Sequence, residues 1–225
     1  MNIPEELTAL QDPEYQEFTA KLLHTDYEVM GVRLPDLRAL GKKAAKETDL
    51  FAYAAIKKRR HEEVLLLGIM MGYAKESTEN RLALIEQFTA QCDSWGQTDS
   101  AITGWNWIKK DPAPYREWMI SHLNDEREMF RRMAFLIAMR YYPGREDTET
   151  VLESLDRGGS DGYYARMMIA WYLAERANLY PDRIRDYLAE NRLDAWTHNK
   201  AIQKIRESFR IEKEYKEEMT RLKRK

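Results

Sequence analysis

Cysteine is nearly absent from this 225-residue chain, which has Cys92 as its single thiol. One cysteine cannot form a disulfide framework within the chain, and it cannot supply the paired thiolates of a cysteine-based zinc site. A chain without disulfides is typical of a reducing compartment. We therefore expect a cytoplasmic protein that is stabilised by its core.

Glycine and proline are also scarce, at 10 and 7 residues, which argues against the many tight turns of a sandwich or barrel. The sequence has no apolar run of the roughly 20 residues that a membrane span needs, and its first residues are polar and acidic, unlike a signal peptide. Metal-binding motifs of the HExxH type and glycine-rich phosphate loops are missing as well. We therefore expect no membrane, no metal and no cofactor.

Hydrophobic residues make up 44% of the chain and charged residues 33%, a mixture typical of amphipathic helices with solvated outer faces. Apolar segments recur at a spacing of about 33 residues. They lie at 31–43, 62–75, 98–110, 129–142, 163–175 and 199–210. More polar amphipathic stretches lie between them, at 14–23, 49–58, 79–90, 112–123, 146–155 and 181–190.

Segments that are apolar on all sides indicate buried helices, and segments with one apolar stripe indicate outer helices. The alternation predicts an all-α fold, a HEAT-like helical-repeat solenoid of about six helix pairs with a concave binding groove. We expect a single domain over residues 1–225, with a charged terminal helix or tail at 211–225. A helical bundle without repeats would give similar segments and stays the alternative.

Charged residues on the predicted inner helices are mostly basic, although the formal net charge is only −2. A row of cations along a concave surface suits a phosphate backbone. The alternative for each cation is a structural pair with a nearby acid. The charged residues on these helices are Arg33, Arg38, Asp99, Arg131, Arg132, Arg140, Arg166, Lys200, Lys204 and Arg206.

Asp99 is the exception in sign, and it follows Trp95 by four residues. If the helix begins near residue 95, the two side chains share one face, and if it begins near 98, Asp99 lies in the first turn. Together with Trp171, they predict an aromatic-walled site with one carboxylate, which would attract a cationic group. The alternatives are that both tryptophans belong to the core and that Asp99 caps the helix.

Several short motifs, taken in order, resemble the DNA alkylation repair enzymes of the HEAT-like-repeat type, a family of alkylpurine DNA glycosylases. The resemblance covers roughly residues 14–215, and the block from Thr197 onward is similar to a shorter branch of the family. Gly96 stands where the family's motif commonly has an aspartate. The motifs are Tyr27 with 31–38 (GVRLPDLR), Glu62-Glu63, Trp95-x-x-x-Asp99, Arg132, Gly162-Tyr163-Tyr164 with Trp171, and 197–201 (THNKA) with Lys204.

The resemblance implies that the protein removes cationic N3- or N7-alkylated purines from duplex DNA by cleaving the N-glycosidic bond. It implies that Asp99, Trp95 and Trp171 are the catalytic residues. It also implies a groove that binds the DNA, with contacts from Arg132, Arg140 and Tyr27. The basic series on the inner helices adds Arg33, Arg166, Lys200 and Lys204 as predicted DNA contacts, and we expect a monomer.

Two other functions remain compatible with the same pattern. One is a non-catalytic protein that binds DNA structures through the same groove. The other is a protein-binding helical scaffold whose basic groove takes an acidic peptide.

Overall fold

The structure is a computed structural model that describes residues 1–159 and 161–225. Those residues form fourteen α-helices, two short 3₁₀ helices and isolated bridges in place of any sheet. The prediction of an all-α fold is therefore confirmed. Ser160, which lies between the predicted segments 146–155 and 163–175, is outside the described residues.

The chain divides into two compact units, of which the first spans Met1–Tyr115. Its helices α3, α5 and α7 pack on one another in sequence, and α4 and α6 pack beside α5. Predicted inner and outer segments thus alternate within this unit. The helices are α1 (Ile3–Ala9), α2 (Pro13–Leu22), α3 (Leu34–Glu47), α4 (Leu50–Ala55), α5 (His61–Tyr73), α6 (Thr78–Thr89) and α7 (Trp95–Ala101).

Helix ends in the first unit follow local sequence signals. Asp12 precedes Pro13, and its carboxylate accepts a hydrogen bond from the Tyr15 amide at 3.0 Å. Ser77 caps α6 through its hydroxyl in the same way. Side-chain caps satisfy amides that have no partner inside a helix, which is why α2 and α6 begin at these residues.

The third inner segment was predicted as one helix over 98–110, and the structure differs from this prediction. Helix α7 ends at Ala101, and the chain continues in 3₁₀ turns at Ile102–Gly104 and Asn106–Lys109. The indole N–H groups of Trp105 and Trp107 donate to carbonyls of α5, at 2.8 Å to Gly68 and 3.1 Å to Met71. Packing of these two buried rings against α5 overrides the helical propensity of the segment.

The second unit spans Arg116–Lys225, and the unit boundary falls within helix α8 (Pro112–His122). Helix α11 packs between α9 and α13, while α10 contacts α9 and α12 contacts α11. The segment at 211–225 contains a helix, α14, which packs on α13. The helices are α9 (Glu128–Tyr141), α10 (Arg145–Leu155), α11 (Tyr163–Leu179), α12 (Pro181–Glu190), α13 (Ala195–Glu207) and α14 (Lys213–Arg221).

Each unit shows the alternation of inner and outer helices that the sequence predicts. The continuous solenoid and the single domain over residues 1–225 stay predictions. Among residues 1–159 and 161–225, none of the helices is long and apolar enough to cross a membrane.

Candidate functional site

Helix α7 carries the predicted Trp95–Asp99 pair and begins at Trp95. The buried side chain of Gln97 explains this start, because its Oε1 accepts hydrogen bonds from the Asp93 and Ser94 amides at 2.8 and 3.2 Å. A side chain in the first turn that binds amides ahead of the helix fixes where the helix begins. Trp95 and Asp99 are therefore one turn apart on the same face of α7.

Both side chains of this pair are reachable from solvent. Trp95 is 39% exposed, so the structure does not place its indole in the core. Asp99 is half-buried, and its Oδ1 accepts a hydrogen bond from the Thr98 hydroxyl at 3.0 Å. As the fifth residue of α7, Asp99 is not a helix cap. The pair presents an aromatic surface and an oriented carboxylate together.

Gly96 lies between them at a point of close packing. A Cβ atom at this position would approach Leu23 Cδ2 to 2.7 Å and His61 Cε1 to 3.1 Å. A side chain here would require the end of the Leu23 side chain to move and the His61 ring to shift by a few tenths of an ångström. Gly96 therefore allows α7 to pack closely against both residues.

A small pocket borders α7 in the first unit, with a volume of about 190 Å³. Its floor contains Glu62, whose carboxylate accepts hydrogen bonds from the amides of Met30 at 2.9 Å and Gly31 at 2.8 Å. Gly31 has a φ of +79°, and a Cβ atom there would lie 2.5 Å from the Gln16 backbone nitrogen, so only glycine suits this turn before α3. The Glu62 carboxylate thus holds in place the backbone segment before α3, which forms one side of the pocket.

Tyr27 and Arg33, both predicted to contact DNA, lie in this unit. The Tyr27 hydroxyl donates to the Gln91 carbonyl at 2.8 Å, and burial raises the pKa of this half-buried phenol. Arg33 lies over the Tyr15 ring and forms an ion pair with Asp12 at 2.7 Å, with much of its side chain exposed. Tyr27 therefore ties two loops together, whereas Arg33 remains accessible to a ligand.

The second unit contains the other predicted cations, and two of them share helix α9. Arg132 is 3% exposed, and its guanidinium donates to the Tyr164 carbonyl at 3.1 Å. Arg140, two turns later, is exposed and lies 5.9 Å from the centre of the Tyr141 ring. The spacing of Arg132 and Arg140 on one helix face therefore did not reveal that the first is buried and the second exposed.

Arg166 and Lys200 both lie close to Trp196, which was not among the predicted site residues. Arg166 lies 4.6 Å and Lys200 5.4 Å from the centre of the Trp196 ring. Asp194 pairs with Arg166 at 3.6 Å, and the half-exposed Tyr163 ring lies beside Trp196 at 5.9 Å. The i,i+4 spacing of Trp196 and Lys200 was the sequence signal for this cluster.

Two predicted residues remain in this unit. Lys204 is half-buried and forms an ion pair with Glu207 at 2.9 Å, so its charge is partly neutralised. Trp171 is half-buried on α11. Its grouping with Trp95 and Asp99 stays a prediction.

Comparison with known families supports the resemblance noted in the sequence. A family model described as DNA alkylation repair enzyme matches residues 3–205, which include every predicted site residue. No curated protein sequence matches the chain.

Proposed function

Because the chain belongs to the DNA alkylation repair enzyme family, we propose that it is a DNA glycosylase that removes cationic N3- or N7-alkylated purines from duplex DNA. The family assigns a DNA repair role and makes DNA the partner. The observation that carries the finer proposal is the start of α7, which puts the exposed Trp95 and the oriented Asp99 on one helix face.

The chemistry of alkylated purines explains why such a simple site suffices. Alkylation at N3 or N7 gives the base a positive charge, so the base leaves with the electrons of the C1′–N bond and becomes neutral without being protonated. The sugar then carries the positive charge as an oxocarbenium-like species. Water adds to C1′ and loses a proton, which leaves an abasic site.

Asp99 is the proposed catalytic carboxylate. A fixed anion near C1′ stabilises the charge that develops on the sugar, and the same oxygens can orient the attacking water. The hydrogen bond from Thr98 restrains the carboxylate, so little reorganisation is needed as the bond breaks. Trp95 adds attraction for the cationic nucleotide through its ring face.

Accessible cations of the second unit are proposed to hold the DNA backbone. Arg140 is exposed, and Arg166 and Lys200 are half-buried. Phosphate contacts of this kind supply affinity that does not depend on sequence and that weakens with salt. Arg132 is better described as a support for α11, because its guanidinium is buried against that helix.

The test is single-turnover release of 3-methyladenine and 7-methylguanine from methylated duplex DNA by Asp99→Asn, after subtraction of the spontaneous release rate. We expect release to fall by roughly 100-fold or more, the usual effect of removing an electrostatic stabiliser. Affinity for the same duplex should change less than twofold, because the substitution keeps the side chain's shape.

Asp182→Asn is the matched control, because it removes the same charge from an exposed position on α12. Its release rate should equal that of the wild type. Equal rates in Asp99→Asn and the wild type would remove Asp99 from the mechanism. A wild-type protein that binds the duplex but releases no base above the spontaneous rate would support the non-catalytic alternative.

A further inference from the structure

A basic cleft lies in the second unit where the end of α13 meets α14. Its volume is about 510 Å³, and its residues lie beyond residue 205, where the match to the family ends. The lining contains four cations and a single carboxylate. None of these residues is among the predicted DNA contacts, so the proposed function does not use the cleft. The lining residues are Arg206, Lys213, Lys216, Glu217, Thr220 and Arg221.

Three of the four cations in the cleft have no acidic partner. Lys213 pairs with Glu217 at 3.7 Å. Arg206, Lys216 and Arg221 form no ion pair with any residue that the structure describes. Like charges that line one cleft repel one another, so an anionic ligand would lower the electrostatic energy of the cleft.

An exposed aromatic ring lies on the loop that joins the two helices. Phe209 is fully exposed, more than any other large apolar side chain within residues 1–159 and 161–225, of which the next is Ile56 at 61%. Three residues of extended chain span at most about 11 Å, so the Cα of Phe209 lies within that distance of the Cα of Arg206. A ligand that lies against the end of α13 can therefore reach the ring and cover it.

The surroundings of the cleft favour a short anionic segment over a nucleic-acid backbone. Exposed or half-buried carboxylates alternate with the cations along α14 and the residues before it. A duplex that lay along this surface would meet these carboxylates as well as the cations, and its phosphates would be repelled. A short peptide can place its carboxylates on the cations and its apolar side chain on the ring. The carboxylates of the surface are Glu207, Glu212, Glu214, Glu217 and Glu218.

We propose that this cleft is a docking site for an acidic peptide segment of another protein, one that carries an aromatic or apolar residue beside its carboxylates. Arg206, Lys216 and Arg221 bind the carboxylates, and Phe209 packs against the apolar residue. Exposed ion pairs each contribute little and are screened by salt, so the affinity is modest and falls as salt rises. The inference goes beyond the proposed function and does not depend on base release.

The first experiment titrates the full chain into a fluorescent peptide of four aspartates followed by a C-terminal phenylalanine, at low salt, and measures anisotropy. We expect saturable binding that becomes about tenfold weaker in Phe209→Ser, because the apolar contact is lost. Lys216→Gln should weaken binding about threefold, the effect of one exposed ion pair. A peptide with serine in place of phenylalanine should bind equally to the wild type and to Phe209→Ser.

Lys223→Gln is the matched control for Lys216→Gln. It removes the same charge from the same terminal segment, and Lys223 is exposed and does not line the cleft. Its affinity for the peptide should equal that of the wild type, and thermal unfolding verifies that each variant is folded. Equal weakening in the two variants would overturn the proposal, because the effect would then come from net charge. A wild type without saturable binding would overturn it as well.

The second experiment measures the binding of single-stranded and duplex DNA to Phe209→Ser and Lys216→Gln. We expect both variants to bind DNA as the wild type does. DNA binding that weakens as much as peptide binding, or more, would make a nucleic acid the occupant and overturn the proposal. A wild type that releases alkylated bases but binds no peptide overturns the cleft and leaves the proposed function intact. A wild type that binds the peptide through Phe209 but releases no base supports the cleft and contradicts the glycosylase.

Discussion

The two units bury positive charge in different ways. In the first, Lys58 is 3% exposed, and its ammonium lies 3.7 Å from the centre of the Tyr53 ring and donates to the Tyr53 and Ile56 carbonyls. In the second, guanidinium groups are buried against backbone carbonyls of neighbouring helices or of the residues that follow them. They are Arg131 on Leu123, Arg132 on Tyr164 and Arg176 on Ala138 and Tyr142.

An ammonium can lose its proton when burial disfavours the charge, whereas a guanidinium stays charged. Arg132 and Arg176 of the second unit therefore join the inner helices α9 and α11 with permanent charges, while the first unit uses the neutral indoles of Trp105 and Trp107 for its α5 contacts. The predicted row of cations thus contains two populations. Buried arginines hold helices together, and accessible cations such as Arg140 and Lys200 can meet a phosphate.

The largest effect that separates the two populations is expected from Arg132→Met. Loss of a buried, charge-assisted hydrogen bond should lower the free energy of unfolding by about 1.5–3 kcal/mol. Arg140→Met is the matched substitution on the same helix, and it should leave stability unchanged and weaken duplex DNA binding. Chemical denaturation and DNA binding measure both effects, and equal stability losses in the two variants would contradict the division.

A smaller effect is expected from pH, because burial lowers the pKa of Lys58 from 10.5 to about 8, opposed by the attraction of Glu63. The unfolded chain keeps this proton up to about pH 10, so between pH 8 and 10 it binds more protons than the folded chain and stability rises with pH. Relative to Lys58→Met, the wild type should gain about 1 kcal/mol between pH 7 and 9. Parallel pH profiles from denaturation of the two proteins would show that Lys58 keeps an ordinary pKa.

The smallest effect is expected for a single accessible cation. Lys200→Gln should reduce the slope of log affinity against log salt by about 0.9, the contribution of one phosphate contact to duplex DNA binding, and should lower affinity less than tenfold. Lys213→Gln removes the same charge from an exposed position on α14, outside the region that matches the family, and serves as control. Identical slopes in the two variants would remove Lys200 from the DNA contacts.

Much of the helical pattern could be predicted from the sequence, because burial and helix boundaries leave local signals. Pro112 and Pro181 open α8 and α12, and the segment of α5 is apolar on all sides. Helix α1 was not predicted, although Ile3 and Leu7 are buried one turn apart. Two apolar residues are too few to produce a visible period.

The candidate site could be predicted only in part. The four-residue spacing of Trp95 and Asp99 was visible, but the start of α7 depended on how Gln97 bonds to the amides ahead of it. The small pocket beside α7 left no sequence signal, because its walls come from four helices that are distant along the chain.

By itself, the amino-acid sequence determined the all-α class, the alternation of inner and outer helices, and the carboxylate that interrupts a basic series. These features are local or periodic, so each window of the chain contains them. Tertiary structure decided which arginines are buried, where the third inner segment leaves the helix, and that a small pocket adjoins Trp95. Those outcomes depend on carbonyls, rings and apolar groups that meet only when distant helices pack, and spacing along one helix cannot reveal them.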